Sequence, residues 1–216
     1  MLNGYRITVI IPAYNEVGRI GNVLSKIPDF VDEVIVVDDG STDNTYEVAK
    51  SYGVNAIRLE RNQGKGAAMR AGIEKSEGDI IVFMDADGQH RPEEIIKLVK
   101  PIVNGEADFV IGARRIKAQE KRPLYRRLSN IITTRLLRLK LGTYVYDTQS
   151  GFRAIRREFM PEIETKRYEV ETEMLIKAVR KGARVKEVPV SMIYGVETGH
   201  FRFEDILRFL WALIRF

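Results

Sequence analysis

Asp85 and Asp87 stand one residue apart at the end of an unbroken apolar run, Ile80-Ile81-Val82-Phe83-Met84. Such a run, β-branched and aromatic, predicts a strand buried on both faces of a sheet. Open α/β sheets bind ligands beyond the carboxyl ends of their strands, which is where these two carboxylates fall. Alternate residues of an extended chain point the same way, so both can address one cation, and Gln89 continues the spacing with a neutral oxygen. Hard oxygen donors of this kind suit Mg²⁺ or Mn²⁺, with water and a substrate phosphate completing the coordination. An isolated Asp-x-Asp also fits a strand followed by a polar turn, so the rest of the chain has to decide.

The first half supplies strands alternating with helices. Arg6 to Ile11 predicts a first strand ended by Pro12, and a helix opens at Asn15 or Glu16 and runs to about Ile27. Glu33 to Val37 predicts the second strand. Thr42 or Asp43 then caps a helix reaching Tyr52, with Gly53 as its stop. Val54 to Leu59 is a third strand, and Gly64-Lys65-Gly66 leads into an Ala-rich helix to about Ser76. After the central strand come a helix from Pro92 to Val103 and a short strand from Asp108 to Gly112. The alternation predicts a mostly parallel sheet covered by helices on both sides. Each strand ends in polar or glycine residues, where a nucleotide would lie. The two glycines are either turn glycines or a loop built for close approach to phosphate or ribose.

Past Gly112 the pattern changes. Arg114 to Pro123 is a basic loop, and Leu124 to Leu141 is a basic helix interleaved with leucine and isoleucine. From Arg114 to Lys140 there are ten cations and the single acid Glu120, a net +9, which leaves −4 for the rest of a chain totalling +5. That asymmetry points to an anionic partner, whether phosphate, nucleic acid or membrane surface, unless the segment is simply a solvated helix face. Asp147 to Arg153 is a polar turn into a strand, and Glu169 to Lys181 is a helix stopped by Gly182. Arg184 to Tyr194 is a last strand that Pro189 places near a sheet edge. Phe203, Ile206, Leu207, Leu210, Leu213 and Ile214 lie opposite Glu204, Asp205, Arg208, Ala212 and Arg215. This amphipathic helix either packs on the domain core or lies in a bilayer surface, and the second is the expectation here.

A chain of 216 residues, 44% apolar, can bury a full core as one domain, and without cysteine it has neither a disulfide framework nor thiolate chemistry. The opening residues carry no signal peptide, and no apolar run reaches the roughly eighteen residues of a spanning helix. The expectation is a cytoplasmic protein attached peripherally to the membrane.

Four segments now stand in order: Pro12-Ala13-Tyr14-Asn15-Glu16, Val37-Asp38-Asp39-Gly40-Ser41-Thr42-Asp43, Asn62-Gln63-Gly64-Lys65-Gly66 and Asp85-Ala86-Asp87-Gly88-Gln89-His90. Together they resemble the nucleotide-sugar half of a family-2 glycosyltransferase with the GT-A (Rossmann-like) α/β fold. Asp147 to Arg153 (DTQSGFR), Glu171 to Leu175 (ETEML) and Glu187 to Val190 resemble the polyprenyl-phosphate branch of that family, the dolichol-phosphate mannose synthases. The resemblance implies residues 1–112 for the nucleotide sugar, 113–198 for the acceptor and 199–216 as an amphipathic tail. It implies inverting transfer of a hexose from a GDP-mannose or UDP-glucose type of donor to a polyprenyl or dolichyl phosphate.

By the same resemblance Pro12, Tyr14, Glu16 and Asp39 hold base and ribose. Asp85, Asp87 and Gln89 hold the metal, and Lys65, Ala86 and Lys166 lie along the donor. Arg114 and Arg126 meet phosphates, and with Asp87 they make the catalytic set. The late arginine of the family's Gly-x-Ser-Lys-Leu segment is absent, and His200 or Arg202 stands where that anion contact would fall. Glu173 is a further candidate for the cleft wall, and His90 for support of its turn. A competing reading keeps the donor half but transfers to a saccharide or protein hydroxyl, which needs a general base, and Asp147 is the nearest candidate. Nucleic-acid binding by the basic segment is the reading from another class. Only Tyr125 interleaves those arginines as a stacking aromatic, so no nucleic-acid partner is expected.

Overall fold

The computed structural model describes residues 1–114, 135, 142, 145–167, 169–193, 211, 215 and 216. Seven strands form one sheet in the order β3-β2-β1-β4-β6-β5-β7. They are β1 (Ile7–Ala13), β2 (Glu33–Asp38), β3 (Asn55–Arg58), β4 (Ile80–Phe83), β5 (Phe109–Arg114), β6 (Arg153–Arg156) and β7 (Val185–Val190). The apolar run before Asp85 is the middle strand, buried on both faces as its composition predicts. Only β6 runs against its neighbours, between β4 and β5, so the sheet is mostly parallel. The β6 strand comes from the second half of the chain and separates two strands of the first. Pro189 lies in the edge strand β7, where a missing N–H is tolerated.

Among the described residues the helices are α1 (Ile20–Leu24), α2 (Thr45–Ser51), α3 (Lys65–Lys75), α4 (Ile95–Val103) and α5 (Val170–Arg180). Because strand side chains alternate, Ile7, Val9, Ile11, Ile80 and Val82 pack on one face with Ile20 and Val23 of α1, Ala49 of α2 and Leu98 of α4. Ile10, Ile35, Ile81 and Phe83 pack on the other with Ala68 and Met69 of α3 and Met174 and Leu175 of α5. The helices thus cover both faces.

Three local expectations are corrected. Pro12 does not end β1. Pairing with β4 stops at Ile10↔Phe83, so beyond it β1 has one neighbour, β2, and continues to Ala13↔Asp38. The first helix starts at Ile20 rather than at Asn15 or Glu16, because Asn15 is left-handed (φ 56°) and the N–H groups of residues 15–17 are donated to side chains of residues 41–45. The helix after Pro92 opens with a 3₁₀ turn, Pro92–Glu94, before α4 begins. The basic helix of residues 124–141 and most of the amphipathic tail lie outside the described residues.

Candidate active site

The carboxyl ends of β1, β2, β4, β5 and β7 share one edge of the sheet, and antiparallel β6 starts there, since Arg153 pairs with Phe83. The loops after β1 and β2 are laced together. Asn15 N–H donates to Ser41 Oγ (2.9 Å), Glu16 N–H to Thr45 Oγ1 (2.8 Å), and Thr42 N–H to Asn15 Oδ1 (2.9 Å). Tyr14 is left 44% exposed, Pro12 half-buried, and Glu16 paired with Arg19 at 2.8 Å. Asp39 is buried and accepts the N–H groups of Gln63 and Gly64, both at 2.8 Å. Burial holds its carboxyl above the usual value even so. Both its oxygens are thus committed to fastening the glycine loop to the tip of β2.

The glycine loop is not an open phosphate cradle. Gly66 N–H, in the first turn of α3, donates to the Lys166 carbonyl (2.9 Å). A Cβ on Gly64 or Gly66 would lie 2.2 Å from the carbonyl oxygen of Lys166 or Thr165. The two glycines therefore admit a second piece of backbone, and Gly64 also needs its positive φ of 94°. Lys166 takes part through its carbonyl while its residue is exposed.

Extended chain ends at Phe83, and Ala86 to Gly88 form a turn, so Asp85, Asp87 and Gln89 do not alternate along a strand as the spacing predicts. Asp87 Oδ1 accepts the Gln89 N–H at 2.9 Å, and Ile193 N–H donates to the Gln89 carbonyl (2.9 Å), so the end of β7 steadies the turn. Lys65, first residue of α3, places its ammonium 2.5 Å from Asp85 Oδ1 and 2.7 Å from Glu171 Oε1. Burial would raise the Asp85 carboxyl, but Lys65, with His90 Nε2 3.8 Å from its other oxygen, holds it well below the usual range. Asp87 goes the other way: burial first, then repulsion from Asp85 and from Glu16, pushes it up. His90 itself is buried against Phe152, in support of the turn.

That contrast is the fit test for a divalent cation. The donors are hard oxygens, and Asp87 is an under-compensated carboxylate beside another, which a cation would relieve. Asp85 is available only in competition with Lys65. The donor chemistry suits the ion, while among the described residues no three His, Asp or Glu side chains are already gathered around one point.

At the end of β5 Arg114 is clamped to Asp147, its Nε at 2.5 Å and its Nη2 on the second oxygen, with a backbone N–H at 3.1 Å. Asp147 is wholly buried, and its own N–H donates to Glu187 (2.7 Å), whose carboxyl burial pushes up. Asp147 therefore has no surface to offer a substrate hydroxyl, which removes the general base of the competing reading. Glu173 does not line the cleft either. It is buried and accepts the N–H groups of Glu164 (2.7 Å) and Thr165 (2.9 Å) and the ammonium of Lys177 (2.6 Å). Its neighbour Glu171 is the one that reaches the site.

Two further residues escape sequence reasoning. Arg153 is buried and donates to the carbonyls of Ser150 (2.7 Å), Glu171 (2.7 Å) and Thr148 (2.9 Å), fixing the polar turn to the start of α5. Gly151 brings that turn so near the carboxylates that a Cβ there would lie 2.4 Å from Asp85 Oδ2. Both sit in the Asp147–Arg153 segment, but spacing alone gives no hint that it folds over Asp85. Arg126, His200 and Arg202 lie outside the described residues.

Residues 8–163 match the glycosyl transferase family 2 model. The chain is 36% identical over 215 residues to a UDP-N-acetylglucosamine–dolichyl-phosphate N-acetylglucosaminyltransferase of Methanococcus voltae, covering 87% of this chain and 86% of that protein. It is 37% identical over 199 residues to a dolichol-phosphate mannosyltransferase of Pyrococcus furiosus, covering 85% of this chain and 55% of that longer one. Among solved structures, glucosyl-3-phosphoglycerate synthase from Mycobacterium tuberculosis in complex with Mg²⁺ and uridine diphosphate superposes with a TM-score of 0.73 at 28% identity, covering 98% of this chain and 79% of that one.

Proposed function

The chain belongs to glycosyl transferase family 2, and on that premise we propose that it moves a hexose from a nucleotide diphosphate sugar to a polyprenyl or dolichyl phosphate, with inversion. Two relatives are named for dolichyl-phosphate acceptors, and each aligns over most of this chain. The observation that carries the reading is the placement of Asp85 and Asp87 just past the central strand, at the carboxyl edge of the sheet, with the Lys65 ammonium 2.5 Å from Asp85. Two hard carboxylates at that edge suit a divalent cation, which in turn can carry a diphosphate.

Pro12, Tyr14, Glu16 and Asp39 line the side where base and ribose would rest, with Lys65 and Ala86 next to the diphosphate and Lys166 at the glycine loop. Asp85, Asp87 and Gln89 would hold Mg²⁺ or Mn²⁺, and the ion would supply charge to neutralise the departing diphosphate; a solved neighbour is a complex with Mg²⁺ and uridine diphosphate. The acceptor needs no base. A phosphate monoester with a second pKa of about 6 is largely dianionic at neutral pH. That suits a site whose one proposed base, Asp147, is sealed under Arg114. What it needs is relief from repulsion between two anions, which Lys65 and the proposed Arg126 and Arg202 would give. Arg114, clamped to Asp147, more directly fixes the end of β5 toward the acceptor. Attack opposite the leaving group turns an α-linked donor into a β-linked lipid phosphosugar.

The lipid acceptor brings the protein to a membrane surface. No helix among the described residues is long and apolar enough to cross a membrane. The +9 segment and the amphipathic tail are our candidates for attachment, on the cytoplasmic face. Radiolabelled GDP-mannose, UDP-glucose and UDP-N-acetylglucosamine, each offered with polyprenyl phosphate and with soluble glycans, test the assignment. Label entering the organic phase from one donor, and abolished by EDTA, is the expected result. Label only in soluble glycan would overturn the lipid acceptor.

A further inference from the structure

Lys65 lies between two carboxylates from opposite halves of the chain, Asp85 at 2.5 Å and Glu171 at 2.7 Å. Glu171 is buried, and among the described residues its second oxygen accepts no hydrogen bond. Arg153 fixes the Glu171 carbonyl, and Gly151 leaves no room beside the pair, since a Cβ there would also lie 2.8 Å from Lys65 Nζ. One ammonium thus serves two carboxylates. A bare divalent cation meets an Asp85 that already has a partner at contact distance. A cation arriving with a diphosphate meets a different balance, because the phosphate offers the ammonium somewhere else to go.

Resting on the function proposed above, we propose that Lys65 is the resident counter-ion of Asp85, and that Glu171 is the positioning residue that keeps hold of it when cation and diphosphate enter together. Glu171 touches neither reacting atom. It acts by keeping the ammonium hydrogen-bonded beside Asp85 once that carboxylate is released, and its spare oxygen can take a second N–H from the same ammonium. The consequence is coupled binding: the metal ion alone is disfavoured, and metal and nucleotide raise each other's affinity by one shared factor.

The test is Mn²⁺ binding to the full chain, read by electron paramagnetic resonance of the free ion, alone and with saturating UDP or GDP. Wild type should bind Mn²⁺ about 30-fold tighter with the nucleotide it uses. Lys65→Met should take Mn²⁺ alone about tenfold tighter, because a competing charge has left two carboxylates, and should lose most of the coupling. Lys65→Arg keeps the charge and should stay within about threefold of wild type. Glu171→Gln should bind Mn²⁺ alone no tighter than wild type yet show about tenfold less coupling, which a merely structural glutamate would not do. Melting curves identify any variant that fails to fold, and the Glu171→Gln arm stands if Lys65→Met does not fold. Lys65→Met with wild-type affinity for Mn²⁺ alone overturns the counter-ion role, and wild-type coupling in Glu171→Gln overturns the positioning role. If wild type itself binds Mn²⁺ equally with and without either nucleotide, the proposed function falls as well, and that result is read before any variant is made.

Discussion

Asp87 is charged where the fold gives it least help. Burial and the neighbouring Asp85 both push its carboxyl up, and the hydrogen bond it accepts from the Gln89 N–H could be made equally by an amide oxygen. Asp87→Asn should therefore cut kcat/KM by about 100-fold or more, the scale of losing one charge contact to a developing anion. Its Tm in EDTA should not fall, and relief of about 1 kcal/mol of repulsion would raise it by about 2–4 °C for a domain of this size. Donor-transfer assays and thermal melts in EDTA check both halves, and lost activity together with a Tm several degrees lower would make Asp87 a structural residue. Gly151 makes the opposite case. Gly151→Ala puts a methyl 2.4 Å from Asp85 Oδ2 and 2.8 Å from Lys65 Nζ, so Asp85, Lys65 or the polar turn must shift. Transfer should fall by about tenfold or more, because a displacement of about an ångström in a site is felt at that scale. Normal turnover in Gly151→Ala would show that the turn is free to move. The carboxylates were legible in sequence because their types and spacing carry the chemistry. Gly151 and Glu171 were not, because what matters is which distant residue they touch.

Elements were legible wherever a periodicity is decided by the sheet itself, and misread where a side chain or a second backbone takes over the hydrogen bonding. The seven strands and the helices on both faces follow from alternation of apolar runs. The first helix is shorter than its sequence suggests because the hydroxyls and carboxylate of Ser41, Thr45 and Asp43 take the N–H groups of residues 15–17. The glycine loop stayed open between a turn and a phosphate cradle because nothing local announces that the Thr165 and Lys166 carbonyls occupy its space. A second kind of tie joins strands at the far edge of the sheet. Asp108, just before β5, accepts from Arg184 Nε (2.8 Å), Nη2 (2.9 Å) and N–H (3.0 Å), just before β7. The side-chain bonds from Arg184 hold the Asp108 carboxyl below its ordinary value of 3.8. A carboxyl depressed on folding stabilises fully above its unfolded value, and that contribution is lost as pH falls through the lower folded one. Asp108→Asn should thus cost about 1–2 kcal/mol near neutral pH, at the low end because Arg184 is 56% exposed and screened. The gap to wild type should narrow below pH 3.8. Urea titrations at pH 7 and in acid measure this, and a gap that stays constant into acid would remove the ion pair as its cause.

At the scale of the molecule, the two proposed halves are one body. Strand β6 sits between β4 and β5, and Lys65 joins Asp85 to Glu171, so the two proposed halves share both a sheet and an ion-pair cluster. What remains is how that body meets a lipid. The last described residues divide the tail by role. Phe216 is 5% exposed, under Lys177 at 4.6 Å, and Arg215 pairs with Glu164 at 2.8 Å, on the segment that Glu173 fastens to the domain. That end is packed on the core, contrary to the expectation of a tail lying wholly in the bilayer surface. Trp211, by contrast, is 47% exposed with Arg215 against its ring at 4.8 Å, an amphipathic pair of the kind found at membrane interfaces. Phe216→Ala should lower Tm by several degrees, as truncation of a buried aromatic does, while leaving vesicle binding nearly intact. Trp211→Ala should leave Tm within a degree or so and weaken binding to neutral vesicles about fivefold, since a half-buried indole contributes roughly 1 kcal/mol. Salt separates this from the basic segment, whose attraction to anionic headgroups, roughly 1 kcal/mol per cation near the surface, fades as ionic strength rises. Charge reversal between Arg114 and Lys140 should therefore weaken flotation only with anionic vesicles and only at low salt, while the Trp211→Ala deficit persists in high salt. If Trp211→Ala floats like wild type with neutral vesicles, the exposed indole takes no part in docking and the basic segment alone has to bring the enzyme to its acceptor.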